Sequence, residues 1–242
     1  EKGLKQATDP FLQIPMMRPP RNVPIITLTG EIFVRRDSLS RQFLTERLAE
    51  KGFATHCAPV AEWILYCNYM VEKGLGSNNF TQGEKMKMKI RNRFMSRYES
   101  RIKSLVSRSR LIHSESLNIP AIIRRASPYI SQNLPGEAIL TIGGAMSDIA
   151  SHSCGVIAIG PFGCMPNRLS EAILNETMNR EEILSIDPKN SSLRAILTEI
   201  EALPFLAVES DGSPFPQLID AKIEAFCLRA ERLHRRMQAA AG

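Results

Sequence analysis

The residues with the clearest chemical potential lie in the stretch GVIAIGPFGCMPNRLSEAILNE, residues 155–176. A β-branched run ends just before Gly-Pro, and Pro166 suits the start of a helix, so Cys164 falls in a tight strand-to-helix turn. Helix N–H groups and the helix dipole favour a thiolate at such a position. Cys164 is therefore a candidate reactive thiolate, and the alternative is an ordinary turn with one small apolar residue. The nearest histidine, His152, lies at the opposite end of the strand, which disfavours a Cys–His catalytic pair.

The number and spacing of the cysteines exclude some kinds of site. The chain has five cysteines without a tight cluster, which argues against a disulfide scaffold and fits a reducing cytoplasm. It has no Cys-x-x-Cys pair, so a zinc site of the paired type is excluded. Cys67 and Cys227 lie in helical apolar patterns and are expected in the core. Cys154 precedes a buried strand and is compatible with either a core or a site position.

Charged residues follow two other apolar runs. Arg35 and Arg36 come after VPIITLTG and either bind an anion or pair with nearby acids. Glu209 and Asp211 follow LPFLAV and could do acid–base work or bind a cation, although an acidic loop rim is equally ordinary. The chain contains no Gly-x-x-x-x-Gly-Lys, no Gly-x-Gly-x-x-Gly after a strand and no His-Glu-x-x-His. It therefore carries no nucleotide motif of its own.

The elements that must position these groups alternate in type. Apolar runs predict four strands, at 23–30, 53–59, 156–159 and 203–208, and helical patterns follow them, including one from Asp37 to Gly52. This alternation predicts an α/β fold, a doubly wound and mostly parallel sheet of Rossmann-like or flavodoxin-like type with long flanking helices. Ligands of such sheets gather at the carboxyl ends of the strands. We therefore expect one shared rim of turns at Gly30–Glu31, Cys57–Pro59, Gly160–Pro166 and Glu209–Ser213.

The chain divides into an arm and one larger domain. Residues 1–21 are rich in proline and predict a linker or arm, and residues 22–242 predict the α/β domain, with 75–135 as a candidate helical insertion. The first residues show no signal pattern and no initiator methionine, so we expect a segment of something longer or a processed chain. TIGGA, at 141–145, is a glycine pair expected to allow close packing.

The net charge of +6 is concentrated in residues 84–110, which hold ten Lys or Arg against two Glu. An apolar residue recurs at every fourth position there, which predicts one apolar face of a long amphipathic helix: Met86, Ile90, Phe94, Tyr98, Ile102 and Val106. The basic faces are either solvated or dock a protein partner or a phosphate-bearing ligand. No nucleic-acid motif accompanies the charge, so no nucleic acid is expected. No apolar stretch approaches the ~20 residues of a membrane span, so no membrane is expected either.

Several motifs together resemble one protein family. They appear in the order TGEIFVRRDSLSRQFL, APVAEWILY, GEAILTIGGAM, GPFGCMPNRLSEAIL and PFLAVESDGSPFPQLIDAKIEAFCLRAERL. Over about residues 22–236 the chain resembles the C-terminal part of the acyl-CoA dehydratase activase-related proteins. Those are large cytoplasmic proteins of anaerobic metabolism, often with an ATPase module of the actin/sugar-kinase type upstream. More distantly, ESDG…AKIEAF is similar to the closing helix of 2-hydroxyacyl-CoA dehydratase subunits, whose relatives hold iron–sulfur clusters between Rossmann-like domains.

The resemblance implies an iron–sulfur cluster, with the [4Fe–4S] type as the candidate, and it makes Cys164 a ligand. A cubane takes three or four thiolates, and Cys57 and Cys154 are the candidates for further ligands from this chain. The site is then incomplete here, and an upstream domain or subunit is expected to complete it. An ATPase activator would be the partner, acyl-CoA a candidate ligand, and the location cytoplasmic. Whether the chain is itself an enzyme stays open. The residues expected around the cofactor are Cys164, Gly163, Pro161, Arg35, Arg36 and Asp211.

Two alternatives remain. In the first, the rim holds a CoA or nucleotide phosphate without metal, through Arg35, Arg36 and the helix N-termini. In the second, the chain is a scaffold that docks an ATPase through residues 84–110.

Overall fold

The structure, a computed structural model, describes residues 2–15, 18–75, 80–109, 117–134 and 136–241. The chain divides into two compact units. The sheet unit comprises residues 24–60 and 121–242, and the helical unit comprises residues 1–23 and 61–120.

The sheet unit contains four parallel strands in the order β2-β1-β3-β4. Their bounds are β1 Ile25–Gly30, β2 Ala54–Cys57, β3 Gly155–Pro161 and β4 Phe205–Ser210. The register pairs Leu28 of β1 with Ile157 of β3, and both side chains are fully buried. The apolar run of β3 is buried on both faces, as expected of a central parallel strand. The α/β prediction and the all-parallel sheet are confirmed, and the order is consistent with a Rossmann-like or flavodoxin-like fold.

Among the described residues, one α-helix precedes β1 and the others lie between and after the strands. In chain order they are α1 Lys2–Thr8, α2 Leu44–Glu50, α3 Val60–Lys73, α4 Gln82–Val106, α5 Ile119–Ala126, α6 Ala138–Asp148, α7 Met165–Thr177, α8 Arg180–Ile186, α9 Ser191–Ile196 and α10 Gln217–Ala241. None of these described helices is both long and apolar enough to cross a membrane.

Helices cover both faces of the sheet, as a doubly wound fold requires. On one face, Thr27 of β1 donates a hydrogen bond to Asp148 of α6 (3.0 Å), and α7 packs beside α6. On the other face, α10 packs against β3 and β4, and α2 packs against β2. Arg47 of α2 forms a salt bridge with Asp220 of α10 (2.6 Å), which ties these two helices together.

The predicted helix from Asp37 to Gly52 is wrong in its first half. Gln42 and Phe43 both have φ of +51°, a left-handed conformation that ends any continuous helix. Asp37 instead caps a local turn by accepting a hydrogen bond from the Ser40 N–H (2.7 Å), and α2 begins only at Leu44.

The helical unit includes part of the predicted arm and of the candidate insertion. Residues 2–8 form α1, which packs against α4, and a 3₁₀ turn follows over Asp9–Gln13. The candidate insertion, 75–135, contributes α4 to this unit, whereas most of α5 belongs to the sheet unit. Residues 76–79, 110–116 and 135 lie outside the described residues. The predicted apolar row of α4 exists, but most of it faces outward: Met86 is 59% exposed and Phe94 60%.

Candidate functional site

The candidate site lies at the carboxyl edge of the sheet, where the chain changes direction between β1 and β3. From β1 the chain moves outward to β2, and β3 then lies on the other side of β1. This arrangement is a topological switch point, the usual place for a ligand in an open parallel sheet. All four strands run the same way, so the turns that follow them share this edge as predicted.

The turn after β1 depends on a glycine. Gly30 has φ of +103°, and the Glu31 N–H donates a hydrogen bond to the Ile159 carbonyl of β3 (2.9 Å). A Cβ at Gly30 would lie 2.1 Å from that carbonyl oxygen, so a side chain has no room. Glu31 closes the turn because its Oε2 accepts from the Phe33 and Val34 N–H groups (3.0 and 2.8 Å).

The two predicted anion-binding arginines hold strand ends. Arg35 is 3% exposed, and its Nη1 donates to the Gly30 carbonyl at 2.6 Å. Arg36 is exposed, and its Nη2 donates to the carbonyls of Ala58 (2.9 Å) and Cys57 (3.3 Å) after β2. Both guanidinium groups therefore hold the backbone at the ends of β1 and β2. These hydrogen bonds also fix their orientation before any anion binds.

A cavity of about 440 Å³ lies beside β2 in the sheet unit. Three arginines line it, namely Arg35, Arg36 and Arg41, together with Thr45 and Cys57. Arg41 is held in place because its Nη1 donates to the Arg36 carbonyl (2.7 Å) and its Nε to Thr45 Oγ1 (3.0 Å). The size falls within the roughly 300–1,000 Å³ typical of ligand pockets, and the lining is basic.

The turn after β3 presents Cys164 at the start of α7. Gly163 has φ of +73°, and Cys164 is the N-cap residue, with its N–H donating to the Pro161 carbonyl (3.1 Å). The thiol makes no capping hydrogen bond and the residue is partly exposed. The prediction of a strand-to-helix turn around Cys164 is confirmed, with α7 starting at Met165, one residue before the predicted Pro166.

Asn167 is the most unusual residue of this turn. Its side chain is buried, with 4% exposed. The carboxamide lies over Gly160 near the end of β3, and a Cβ added at Gly160 would lie 2.7 Å from Asn167 Cγ. Neither Nδ2 nor Oδ1 has a hydrogen-bond partner among the described residues. A buried amide of this kind is an anomaly that a bound polar group would explain.

Glu137 adds a second unusual polar group, at the start of α6. Burial raises the pKa of this carboxyl, the nearby Glu31 raises it further, and Arg35 opposes the shift. Its Oε2 is buried without a hydrogen-bond partner among the described residues. α6 and α7 begin side by side, since a Cβ at Gly136 would lie 2.9 Å from Pro166. The switch point therefore joins Glu137, Asn167 and Cys164 at the starts of two adjacent helices.

The acidic residues after β4 differ in role. Glu209 Oε1 accepts from the Gly163 N–H (3.3 Å) and pairs with Arg168 Nε (3.0 Å), so it braces the cysteine turn. Asp211 is exposed and bonds locally, since its Oδ1 accepts from the N–H and hydroxyl of Ser213 (2.9 and 2.7 Å). These bonds lower the pKa of Asp211. Asp211 lies on the predicted rim, but its carboxylate accepts hydrogen bonds from its own turn.

The cysteines separate into two groups. At the carboxyl edge, Cys57 is the last residue of β2 and Cys164 lies in the turn after β3, and the Cys57 thiol donates to the Arg35 carbonyl (3.5 Å). Cys154 lies at the amino end of β3, where burial raises its pKa to about 12 and its thiol donates to the Ile25 carbonyl (3.3 Å). The structure therefore does not bring Cys154 to the rim.

The remaining two cysteines test the core prediction. Cys227 is buried as predicted, and burial raises its pKa to about 11. The same prediction is wrong for Cys67, which is exposed in α3 because the helix buries Tyr66, one residue away on a different face.

The potential ligand side chains are too dispersed, within the part of the chain that the structure describes, to form a complete metal site. Within the described residues, no group of three or more His, Cys, Asp or Glu side chains could hold a metal ion. A single partly exposed thiol at a helix start fits one ligand of a shared cluster and does not fit a complete one.

Comparisons with known proteins found no relative of this chain. No protein-family model matches the chain, and no curated protein or solved structure is similar enough to count as a relative.

Proposed function

We propose that this chain is an α/β domain that contributes Cys164 to an iron–sulfur cluster shared with a second domain or subunit. The carrying observation is the position of Cys164, the N-cap residue of α7 at the switch point, partly exposed and without a capping hydrogen bond. The cluster would supply a one-electron carrier. The assembly would act as a dehydratase-like or reductase-like protein of acyl-CoA chemistry, with an ATP-hydrolysing activator as the electron donor.

The residues around Cys164 support this assignment. Cys164 lies at the start of α7 and is partly exposed, so iron held by a second domain could reach its sulfur. Asn167 Nδ2 is a donor without a partner among the described residues, one residue beyond Pro166, and a ligand sulfur or sulfide could accept its hydrogen bond. Glu209 holds the Gly163 N–H and therefore fixes the turn before anything binds.

The other cysteines fit the role less well. Cys154 and Cys227 are buried with raised pKa values, so neither is disposed to form a thiolate. Cys67 belongs to the helical unit. Cys57 alone shares the rim, and it is the candidate for a second ligand from this chain.

The experiment is iron and acid-labile sulfide per chain in the full-length protein after anaerobic purification. Cys164→Ser should lose most of the iron, while Cys67→Ser, an exposed cysteine outside the sheet unit, should retain it. Cys57→Ser tells whether this chain supplies one ligand or two. Equal iron in Cys164→Ser and in the wild type would refute the proposal.

A second candidate function is favoured by the arginine-lined cavity beside β2. A phosphate of CoA or of a nucleotide would meet Arg36 and the buried Arg35 there, without metal. Thermal unfolding with inorganic phosphate, ADP and CoA tests this candidate. Stabilisation that disappears in Arg36→Ala, in a protein without iron, would favour it over the cluster.

A further inference from the structure

α4, in the helical unit, carries a row of large apolar side chains that are about half exposed. Five side chains at every fourth position form it, and we call this row the α4 ridge: Met86, Ile90, Phe94, Tyr98 and Ile102. Their exposed fractions are 59, 53, 60, 65 and 47%. Five large apolar side chains, contiguous along one helix and about half exposed, exceed the scattered apolar residues of an ordinary surface.

The helix is anchored through a different row, so the ridge is not needed to hold it. Arg91 Nη2 donates to Asn68 Oδ1 of α3 at 2.6 Å, and Asn92 Nδ2 donates to Glu72 of α3 at 3.5 Å. A capping box at Thr81 and Glu84 fixes the start of α4. The ridge therefore faces outward on a helix whose position and beginning are already determined.

A basic row accompanies the ridge along its whole length. Each member follows a ridge residue by three positions, which makes the two rows neighbours on the helix surface. The row consists of Lys89, Arg93, Arg97 and Arg101, all of them exposed. A surface that binds the ridge must therefore also accept a line of positive charges.

The direction in which the ridge winds around α4 favours a helical partner over a flat membrane. A step of four residues advances about 40° around an α-helix, so Met86 and Ile102 point in directions about 160° apart. A flat bilayer cannot receive both ends of such a row at once. An i, i+4 row is the ridge that packs into the groove of a second helix at a crossing angle of about −50°.

Charge excludes the simplest partner, a second copy of the chain. Two α4 surfaces packed ridge to ridge would bring their basic rows together, and like charges in contact are unfavourable. The complementary surface is a helix with apolar residues for the ridge and glutamate or aspartate for the basic row.

We propose that the α4 ridge docks an acidic amphipathic helix of a protein partner, with its apolar residues against Phe94 and its neighbours and its carboxylates against the basic row. This interaction is separate from the chemistry at Cys164. It uses the helical unit, whereas the proposed cluster ligand belongs to the sheet unit.

The test is selection of binders from a display library of helical peptides with randomised surface positions, using the whole chain as bait. The proposal expects enriched peptides that are acidic, with apolar residues at helical spacing. Their affinity should fall about tenfold or more in Phe94→Ser and in Arg93→Glu/Arg97→Glu. The matched controls are Leu228→Ser, which changes an equally exposed apolar residue of α10, and Lys222→Glu, an exposed cation of α10. Both should bind as the wild type does.

Four results would overturn the proposal. Enriched peptides without acidic excess would show that the partner is not acidic. Binders indifferent to Phe94→Ser would show that the ridge is not the recognised surface. Binding to phosphatidylcholine–phosphatidylserine vesicles that Phe94→Ser abolishes would assign the ridge to a membrane. Self-association in sedimentation velocity that Phe94→Ser abolishes would assign it to a second copy. Because Phe94 is exposed, the variant should keep the wild-type circular dichroism, which excludes unfolding as the cause.

Discussion

Asn167 should reduce the stability of the ligand-free protein. Its side chain is 4% exposed, and both carboxamide atoms lack a hydrogen-bond partner among the described residues. A buried polar group without a partner costs about 1–3 kcal/mol. Leucine has the same branching at Cγ and no polar atom. Asn167→Leu should therefore raise the free energy of unfolding by about 1–3 kcal/mol, although it replaces a polar residue in the candidate site.

Urea unfolding followed by circular dichroism measures this change, and thermal unfolding checks it. In a chain of this length, 1 kcal/mol corresponds to about 2–4 °C, so the midpoint should rise by roughly 2–12 °C. The matched control is Asn179→Leu, because Asn179 has its partners. Its side chain caps α8 by accepting from the Glu182 N–H at 3.0 Å, and its Nδ2 donates to the Glu176 carbonyl. That control should lose about 1 kcal/mol.

The opposite outcome would refute the reasoning. If Asn167→Leu destabilises the protein as Asn179→Leu does, the Asn167 amide is satisfied in the native state and does not wait for a ligand. If it stabilises the protein, the next comparison is iron content. Loss of iron together with a gain in stability would identify Asn167 as a residue kept for binding.

Three further predictions concern the turn after β1, two cysteines away from the rim, and Glu137. Gly30→Ala should lower the free energy of unfolding in urea by more than about 3 kcal/mol, because its Cβ would meet the β3 backbone. Gly52→Ala, with a positive φ but open space around the Cβ, should lower it by only about 1–2 kcal/mol. Equal losses would contradict the close contact between Gly30 and β3. Under native conditions at mildly alkaline pH, iodoacetamide should modify exposed Cys67 and not Cys154, because burial raises the Cys154 pKa to about 12. Mass spectrometry of the peptides measures both. Rapid modification of Cys154 would show that its thiol is accessible. The pKa of Glu137 lies above its ordinary 4.5 in the folded chain, so its carboxylate destabilises the protein increasingly as pH rises from 4.5 through the folded pKa. Glu137→Gln should gain stability over the wild type across that range in urea midpoints, and a constant difference at all pH values would exclude the titration.

The strands and the shared edge could be predicted because they depend on local pattern. Apolar runs followed by helical periodicity give parallel strands, and parallel strands put their turns at one edge. The glycine pair at 141–145 was correctly expected to allow close packing, since a Cβ at Gly143 would lie 2.1 Å from the Ile122 carbonyl of α5. The left-handed Gln42 and Phe43 carry no comparable signal, and the predicted helix there was too long for that reason.

The unusual side chains of the site could not be predicted in the same way. Asn167 follows Pro166 as an ordinary helical residue would, and only the packing of α7 over Gly160 buries its amide. Glu137 precedes an apolar helix, where an exposed acid is the usual expectation. The spacing of the α4 row gave the apolar stripe correctly, but which row of a helix is covered depends on contacts with α3 that sequence periodicity does not contain.

The most direct test of the central claim is differential alkylation of Cys164 in the anaerobically purified full-length protein, before and after the iron is removed by chelation. The account predicts that Cys164 is protected while iron is bound and becomes modified once it is removed. Exposed Cys67 should be modified equally in both states. Equal modification of Cys164 in both states would contradict its role as a cluster ligand.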